Sequence, residues 1–173
     1  MSDQTFVSDD GRFQLRLPAR HVAQMLAFCR GSAGRETGGI LVGHYAPTLD
    51  CAVVTGVSGP PADSRASRTR FVRGVRGLKQ WLRSLWNGPR HYYLGEWHFH
   101  PGAAPVPSAA DRDQMREIAA SPTYHCPEPL LVILGGDPDG DWTISAHVFV
   151  VCGNAVALRQ ACDEERSEVK EEQ

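Results

Sequence analysis

The sequence predicts one α/β domain built on a central, mixed but mostly antiparallel sheet with helices on both faces. Three observations carry this expectation. Runs of alternating apolar and polar residues trade places along the chain with runs whose apolar residues recur at i, i+3, i+4 and i+7. A short turn over residues 47–50 separates two strand-like runs. Residues 130–134 are wholly apolar, as suits a strand buried on both faces. At 173 residues and 42% hydrophobic, the chain has the length for one domain with a real core.

The elements follow in order. Phe13, Leu15 and Leu17 alternate with polar neighbours, a half-buried strand closed by Pro18. Val22, Met25, Leu26 and Cys29 form the stripe of an amphipathic helix that ends near Gly31 and Gly34. Residues 38–45 and 51–57 read as strands, and residues 59–70 as a polar loop containing prolines and arginines. Leu78, Trp81, Leu82 and Leu85 mark a second helix, stopped by Asn87, Gly88 and Pro89. Residues 91–100 read as a strand and residues 108–120 as a helix, with Ser108 an apt N-cap and Met115, Ile118 and Ala119 its apolar stripe. The final strand, residues 142–151, is entered through a turn at Asp137, Pro138, Asp139 and Gly140. The domain is expected over residues 1–160. Residues 161–173, with Asp163, Glu164, Glu165, Glu168, Glu171 and Glu172, have the composition of a solvated, disordered tail.

Composition excludes several classes. A formal net charge of −2 argues against a general nucleic-acid binder, which carries a basic excess. No N-terminal apolar leader appears, and no run approaches the ~18 apolar residues of a membrane span. The five cysteines (Cys29, Cys51, Cys126, Cys152 and Cys162) are scattered without C-x-x-C spacing. They read as reduced, buried thiols of a cytoplasmic protein.

Chemistry concentrates in Glu96-Trp97-His98-Phe99-His100-Pro101, followed by Ser108 and Asp111. On an extended strand, residues i and i+2 face the same way, so His98 and His100 can grip one ion. Asp111, from the first turn of the next helix, can reach back to it. Two imidazoles and a carboxylate are ligands that a catalytic Zn²⁺ uses when a fourth position stays open for water. The bland account has Ser108 merely capping its helix and Asp111 complementing the helix dipole. It does not explain why both follow a histidine pair so closely.

His98-x-His100-Pro101 followed by Ser108-x-x-Asp111 resembles the JAMM motif of the JAB/MPN metalloprotease family. Upstream, Arg35-Glu36-Thr37-Gly38-Gly39-Ile40-Leu41-Val42-Gly43 looks like that family's glutamate before a glycine-rich strand, with Glu36 at the glutamate position. The likeness runs from about Phe13 to Val151. One departure is Phe99, where the family usually has Ser or Thr; alternation turns its side chain away from the metal, so the departure bears on substrate contacts. The resemblance implies a cytidine-deaminase-like fold and a Zn²⁺ site at His98, His100 and Asp111. It also implies Glu36 as the base and Ser108 as the oxyanion donor.

Glu96 remains a rival, because it shares the strand face of both histidines. It can be a base, a hydrogen-bond partner of a ligand histidine, or a substrate contact. Phe99, Glu96 and Arg68 are candidate substrate-binding residues. Arg68 belongs to a basic loop with Arg65 and Arg70 that can meet an acidic partner. His125 and Cys126 can add a ligand or a redox response, or be ordinary loop residues. His21, His44, His91 and His147 match no ligand spacing.

The compact chain resembles bacterial single-domain JAB proteins, including those of CBASS antiphage operons, where the JAB protein removes a nucleotidyltransferase from its conjugated targets. The implied partner is a protein, through a lysine-linked conjugate or a ubiquitin-like C-terminus, with neither nucleic acid nor membrane involved. Two other functions stay open: trimming the C-terminal extension of a sulfur-carrier protein, and a non-catalytic MPN scaffold. The scaffold reading needs lost ligands, and none is lost.

Overall fold

The structure, a computed structural model, describes residues 1–151 and 153–161. Its strands are β1 (Gln4–Val7), β2 (Gln14–Leu17), β3 (Thr37–Tyr45), β4 (Cys51–Val57), the two-residue β5 (Arg65–Ala66) and β6 (Phe71–Val72), β7 (Tyr92–Pro101), β8 (Leu130–Gly136), β9 (Trp142–Phe149) and β10 (Ala155–Gln160). Its helices are α1 (Ala19–Gly31), α2 (Leu78–Asn87) and α3 (Ala109–Ala120). The expected acidic tail lies outside the described residues, apart from Ala161.

The eight longer strands run in the order β1-β10-β9-β8-β7-β3-β4-β2, and β1 pairs with both β10 and β2. Every pairing in this ring is antiparallel except β2 with β4 and β7 with β8. The expected sandwich is therefore corrected in one respect: its sheet closes into a barrel, which removes free edges. Closure depends on β1 and β10, neither of which the sequence reading found. β1 has four residues, two of them Gln4 and Thr5, and β10 buries only Leu158 fully, so neither displays a long alternating pattern.

Helices do cover both faces. Val22, Met25, Leu26 and Cys29 of α1 share one core with Leu15, Leu17, Leu41, Val54, Trp97 and Phe99. On the opposite face, Ile40, Val42, Tyr93, Leu131 and Ile133 pack with Met115 and Ile118 of α3 and with Leu78, Trp81, Leu82 and Leu85 of α2. An irregularity in the β3–β7 register falls beside Gly95. Gly95 has φ +154°, and a Cβ there would sit 2.0 Å from the Leu130 carbonyl oxygen, so no other residue fits. The irregularity lets Leu94 and Trp97, three apart, enter the same core, while Glu96, His98 and His100 face α3.

Candidate active site

Strand β7 brings His98 and His100 to one face, and the start of α3 brings Asp111 opposite them. One ligand atom from each residue lies within 4.8 Å of the others, and all three residues are buried. His98 Nδ1 lies 2.7 Å from Asp111 Oδ1, and His100 Nε2 lies 3.4 Å from Asp111 Oδ2. The set has the hallmarks of a metal centre. Two imidazole nitrogens and one carboxylate oxygen converge, at separations close to what ~2 Å metal bonds demand. The donors fit a Zn²⁺ ion.

The charges around the trio are tightly balanced. Burial pushes the His98 imidazole down, but its hydrogen bond to Asp111 and the carboxylates of Glu96 and Asp111 more than offset this, raising it to about 9. Burial opposes ionisation of Asp111 too, yet bonds from His100, His98 and Ser108 hold it far below the ordinary carboxylate range. Ser108 caps α3 with its Oγ, accepting from the Asp111 N–H at 3.1 Å.

Glu36 lies just before β3, and its N–H donates to the Ser67 carbonyl at 2.8 Å. Its half-buried carboxyl is raised by burial, opposed chiefly by His100, and it also feels the charges of Asp111 and His98. Its carboxyl is therefore within electrostatic reach of the same trio. Opposite His98 on β3 stands Gly38, where a Cβ would come 2.3 Å from the Trp97 carbonyl oxygen and 3.0 Å from His98 Cδ2. Phe71 sets its ring edge-on to His98, with centroids 5.8 Å apart. Beside Glu36 opens a groove of about 460 Å³ between Phe28 and Gly31 of α1 and the insert residues Pro60, Pro61, Ala66 and Phe71.

Three comparisons with known proteins bear on this geometry. Residues 18–145 match the family of prokaryotic homologues of the JAB domain. The chain belongs to that family. A protein of Enterobacter hormaechei subsp. hoffmannii named CD-NTase/cGAS isopeptidase is 43% identical over 160 residues, covering 92% of this chain and 88% of that protein. A Sinorhizobium fredii protein named as a probable metalloprotease is 32% identical over 122 residues, covering 65% of this chain and 70% of its own. The solution structure of a protein from Desulfitobacterium hafniense shares the fold, with TM-score 0.58, 18% identity and coverage of 83% and 86%. The names of the two relatives are those of peptide-bond hydrolases.

Of the three residues expected to touch substrate, this JAB domain encloses two. Phe99 is 1% exposed and packs in the α1 core, which corrects that expectation: alternation turns it inward. Glu96 is 0% exposed and so has no surface to offer a substrate; it stands behind His98, its Oε2 3.5 Å from His98 Nε2. Arg68 stays at the surface, in the turn between β5 and β6. Cys126 is buried against the Leu94 carbonyl, its thiol pushed up to about 12 by burial, and joins no ligand group among the described residues.

The sequence reading missed Arg73, Gln114, Tyr93 and Tyr124, which surround Glu96 and its partners. Gln114 carried a usable signal, since three residues from Asp111 it shares the helix face turned to β7. Arg73 carried none beyond its charge. No helix among the described residues is long and apolar enough to cross a membrane.

Proposed function

We propose that this chain is a zinc-dependent isopeptidase that frees a protein C-terminus from the lysine of a conjugate. The protein it frees would be a nucleotidyltransferase of the CD-NTase/cGAS kind, within a bacterial antiphage system. The observation that carries the chemistry is the convergence of His98, His100 and Asp111, with Glu36, which lines the neighbouring groove, within electrostatic reach. The name and 43% identity of the Enterobacter relative favour the isopeptidase over trimming of a sulfur carrier. The reaction belongs in the cytoplasm, where buried thiols such as Cys29, Cys51 and Cys126 stay reduced.

The residues divide the work. Bound to His98, His100 and Asp111, Zn²⁺ would supply Lewis acidity, bringing the pKa of its water from about 15.7 towards 7. Glu36 takes the proton of the attacking water as its oxygen bonds to the isopeptide carbonyl carbon. Ser108 Oγ–H donates to the oxyanion that forms, a contribution of about 3 kcal/mol in comparable sites. Glu36 then hands its proton to the lysine Nε as the C–N bond breaks, and the acid's own proton passes to the freed amine, leaving a carboxylate and a lysine ammonium. Phe71 and the insert line the groove, and Arg68 is exposed in the turn between β5 and β6.

The test uses a model conjugate in which a protein C-terminus is linked to a lysine side chain. Zinc-loaded enzyme should release an intact C-terminal carboxylate and an unmodified lysine, both read by intact mass. Chelation should abolish cleavage, and zinc should restore it. His98→Ala/His100→Ala should lose zinc and activity together. Undiminished cleavage by chelated enzyme, or full zinc in the double variant, would sink the proposal. Cleavage of a linear C-terminal extension alone would favour the sulfur-carrier reading.

A further inference from the structure

The insert between β4 and α2 is fastened to the metal site by a buried ion pair that the proposed chemistry leaves unused. Arg73 follows β6, whose Phe71 lines the groove and touches His98. Its Nε and Nη2 both reach Glu96 Oε1 at 2.8 Å, and the two side chains are 6% and 0% exposed. Its remaining donors are engaged as well, Nη1 by the Gly74 carbonyl at 2.8 Å and Nη2 by the Tyr124 hydroxyl at 3.1 Å. Tyr93 adds a long bond to Glu96 Oε1 at 3.4 Å. The other oxygen, Oε2, accepts from Gln114 Nε2 at 2.8 Å and lies 3.5 Å from His98 Nε2.

His98 Nε2 is itself an orphan: it is buried and has no hydrogen-bond partner, and the Glu96 carboxylate is the acceptor beside it. The other ring nitrogen, Nδ1, points at Asp111. A buried ion pair is a poor device for stability alone, because apolar residues of the same volume do as well or better. It is a good device for fixing an imidazole. A carboxylate beside Nε2 keeps the proton there, which leaves the Nδ1 lone pair facing Asp111 and His100.

We infer that Arg73 and Glu96 form a tether that sets the tautomer and orientation of His98 and ties the groove wall to the metal ligand. Both are positioning residues, and neither touches substrate. The inference rests on the proposed metal-site reading and adds a dependence to it: metal affinity and order of the insert rely on one ion pair.

Glu96→Gln tests it with almost no change of shape. Arg73 holds the amide oxygen on its own side, so the NH₂ must face Gln114 and His98. Gln114 can turn its amide to accept, but His98 can answer an NH₂ only by moving its proton to Nδ1, against the metal. Zinc affinity, measured by competition with a chromophoric chelator, should fall roughly 10- to 100-fold while the fold persists. The Co²⁺ absorption spectrum should change with it. Arg73→Ala should weaken zinc and also speed protease nicking within residues 59–76. The double variant should lose little more than the worse single one, as coupled residues do. Zinc held within about twofold of wild type by Glu96→Gln, or losses that simply multiply, would overturn the tether. Should the variants misfold, the imidazole ¹⁵N signals of the wild-type zinc protein still decide, because a proton on Nδ1 of His98 contradicts it. A wild type that binds no zinc sinks the metal-site reading and the tether together, whereas a zinc-binding wild type with an indifferent Glu96→Gln sinks the tether alone.

Discussion

Ser108 and Asp111 hold each other across the first turn of α3: the Ser108 N–H donates to Asp111 Oδ2 at 2.7 Å, and the Asp111 N–H donates to Ser108 Oγ at 3.1 Å. This is a capping box whose acidic arm is also a candidate metal ligand, since Asp111 Oδ1 faces His98. The bond that starts the helix therefore also aims the carboxylate, so the cap leaves room for the catalytic part proposed for Ser108.

The two roles of Ser108 separate experimentally. Ser108→Ala should cost about 1 kcal/mol of stability, the usual worth of an N-cap. If the hydroxyl also serves the oxyanion, kcat should fall about 10²- to 10³-fold with KM little changed. Thermal melts and steady-state kinetics on one preparation give both numbers. Stability loss with kcat intact would leave Ser108 a cap and nothing more.

Glu36→Gln should keep zinc and fold yet lose about 10²- to 10⁴-fold in turnover, because it removes proton transfer without removing a metal ligand. Burial raises the Glu36 carboxyl above its ordinary value of 4.5. The active base is the ionised form, so activity should climb with pH through a value above 4.5 and fall away below it. The residual activity of the variant should lack that acidic limb. An unchanged limb in Glu36→Gln would assign it to another group.

How far the sequence could be read follows from where each signal resides. His98, His100 and Asp111 sit within fourteen consecutive residues, and strand and helix periodicity alone bring them to one face. Barrel closure rests on pairings between the two ends of the chain, Phe6 with Gln160 and Val7 with Arg159, which no local pattern encodes. The same limit hid Arg73. An arginine in a polar insert reads as solvated, and only tertiary structure delivers it, 23 residues along the chain, to Glu96. Glu96 was legible as a group on the histidine face, but its role turned on burial, which periodicity does not report.

Gly38→Ala should damage site and fold together. Its Cβ would stand 2.3 Å from the Trp97 carbonyl oxygen, a backbone atom that cannot turn aside, and 2.9 Å from Phe71. Relief requires β3 and β7 to part at His98, their partner in register. Overpacking of this kind costs about 1–3 kcal/mol. Denaturant titration and zinc content should both show the loss. A variant of normal stability and full zinc content would mean that the strands part without disturbing His98.

The groove beside Glu36 sets the final expectation, which concerns the residue just before the cut. The groove is lined by Phe28 and Gly31 of α1, by Pro60, Pro61, Ala66 and Phe71 of the insert, and by Glu36. An extended peptide there can bond through its main chain, with little dependence on sequence. Near Glu36 the wall is Phe71, already seated against His98, so a large side chain at the cut has nowhere to go without moving a ligand's neighbour. Conjugates ending in Gly or Ala should therefore be cleaved, and one ending in Trp should not. Farther out the insert presents Arg65, Arg68 and Arg70, all exposed, so changes there act by charge rather than by fit. Reversing these three arginines should raise KM for an acidic tail and flatten its salt dependence, leaving kcat near wild type. A series of conjugates differing only in the terminal residue would measure the first effect, and equal rates with Gly and Trp would count decisively against a narrow groove.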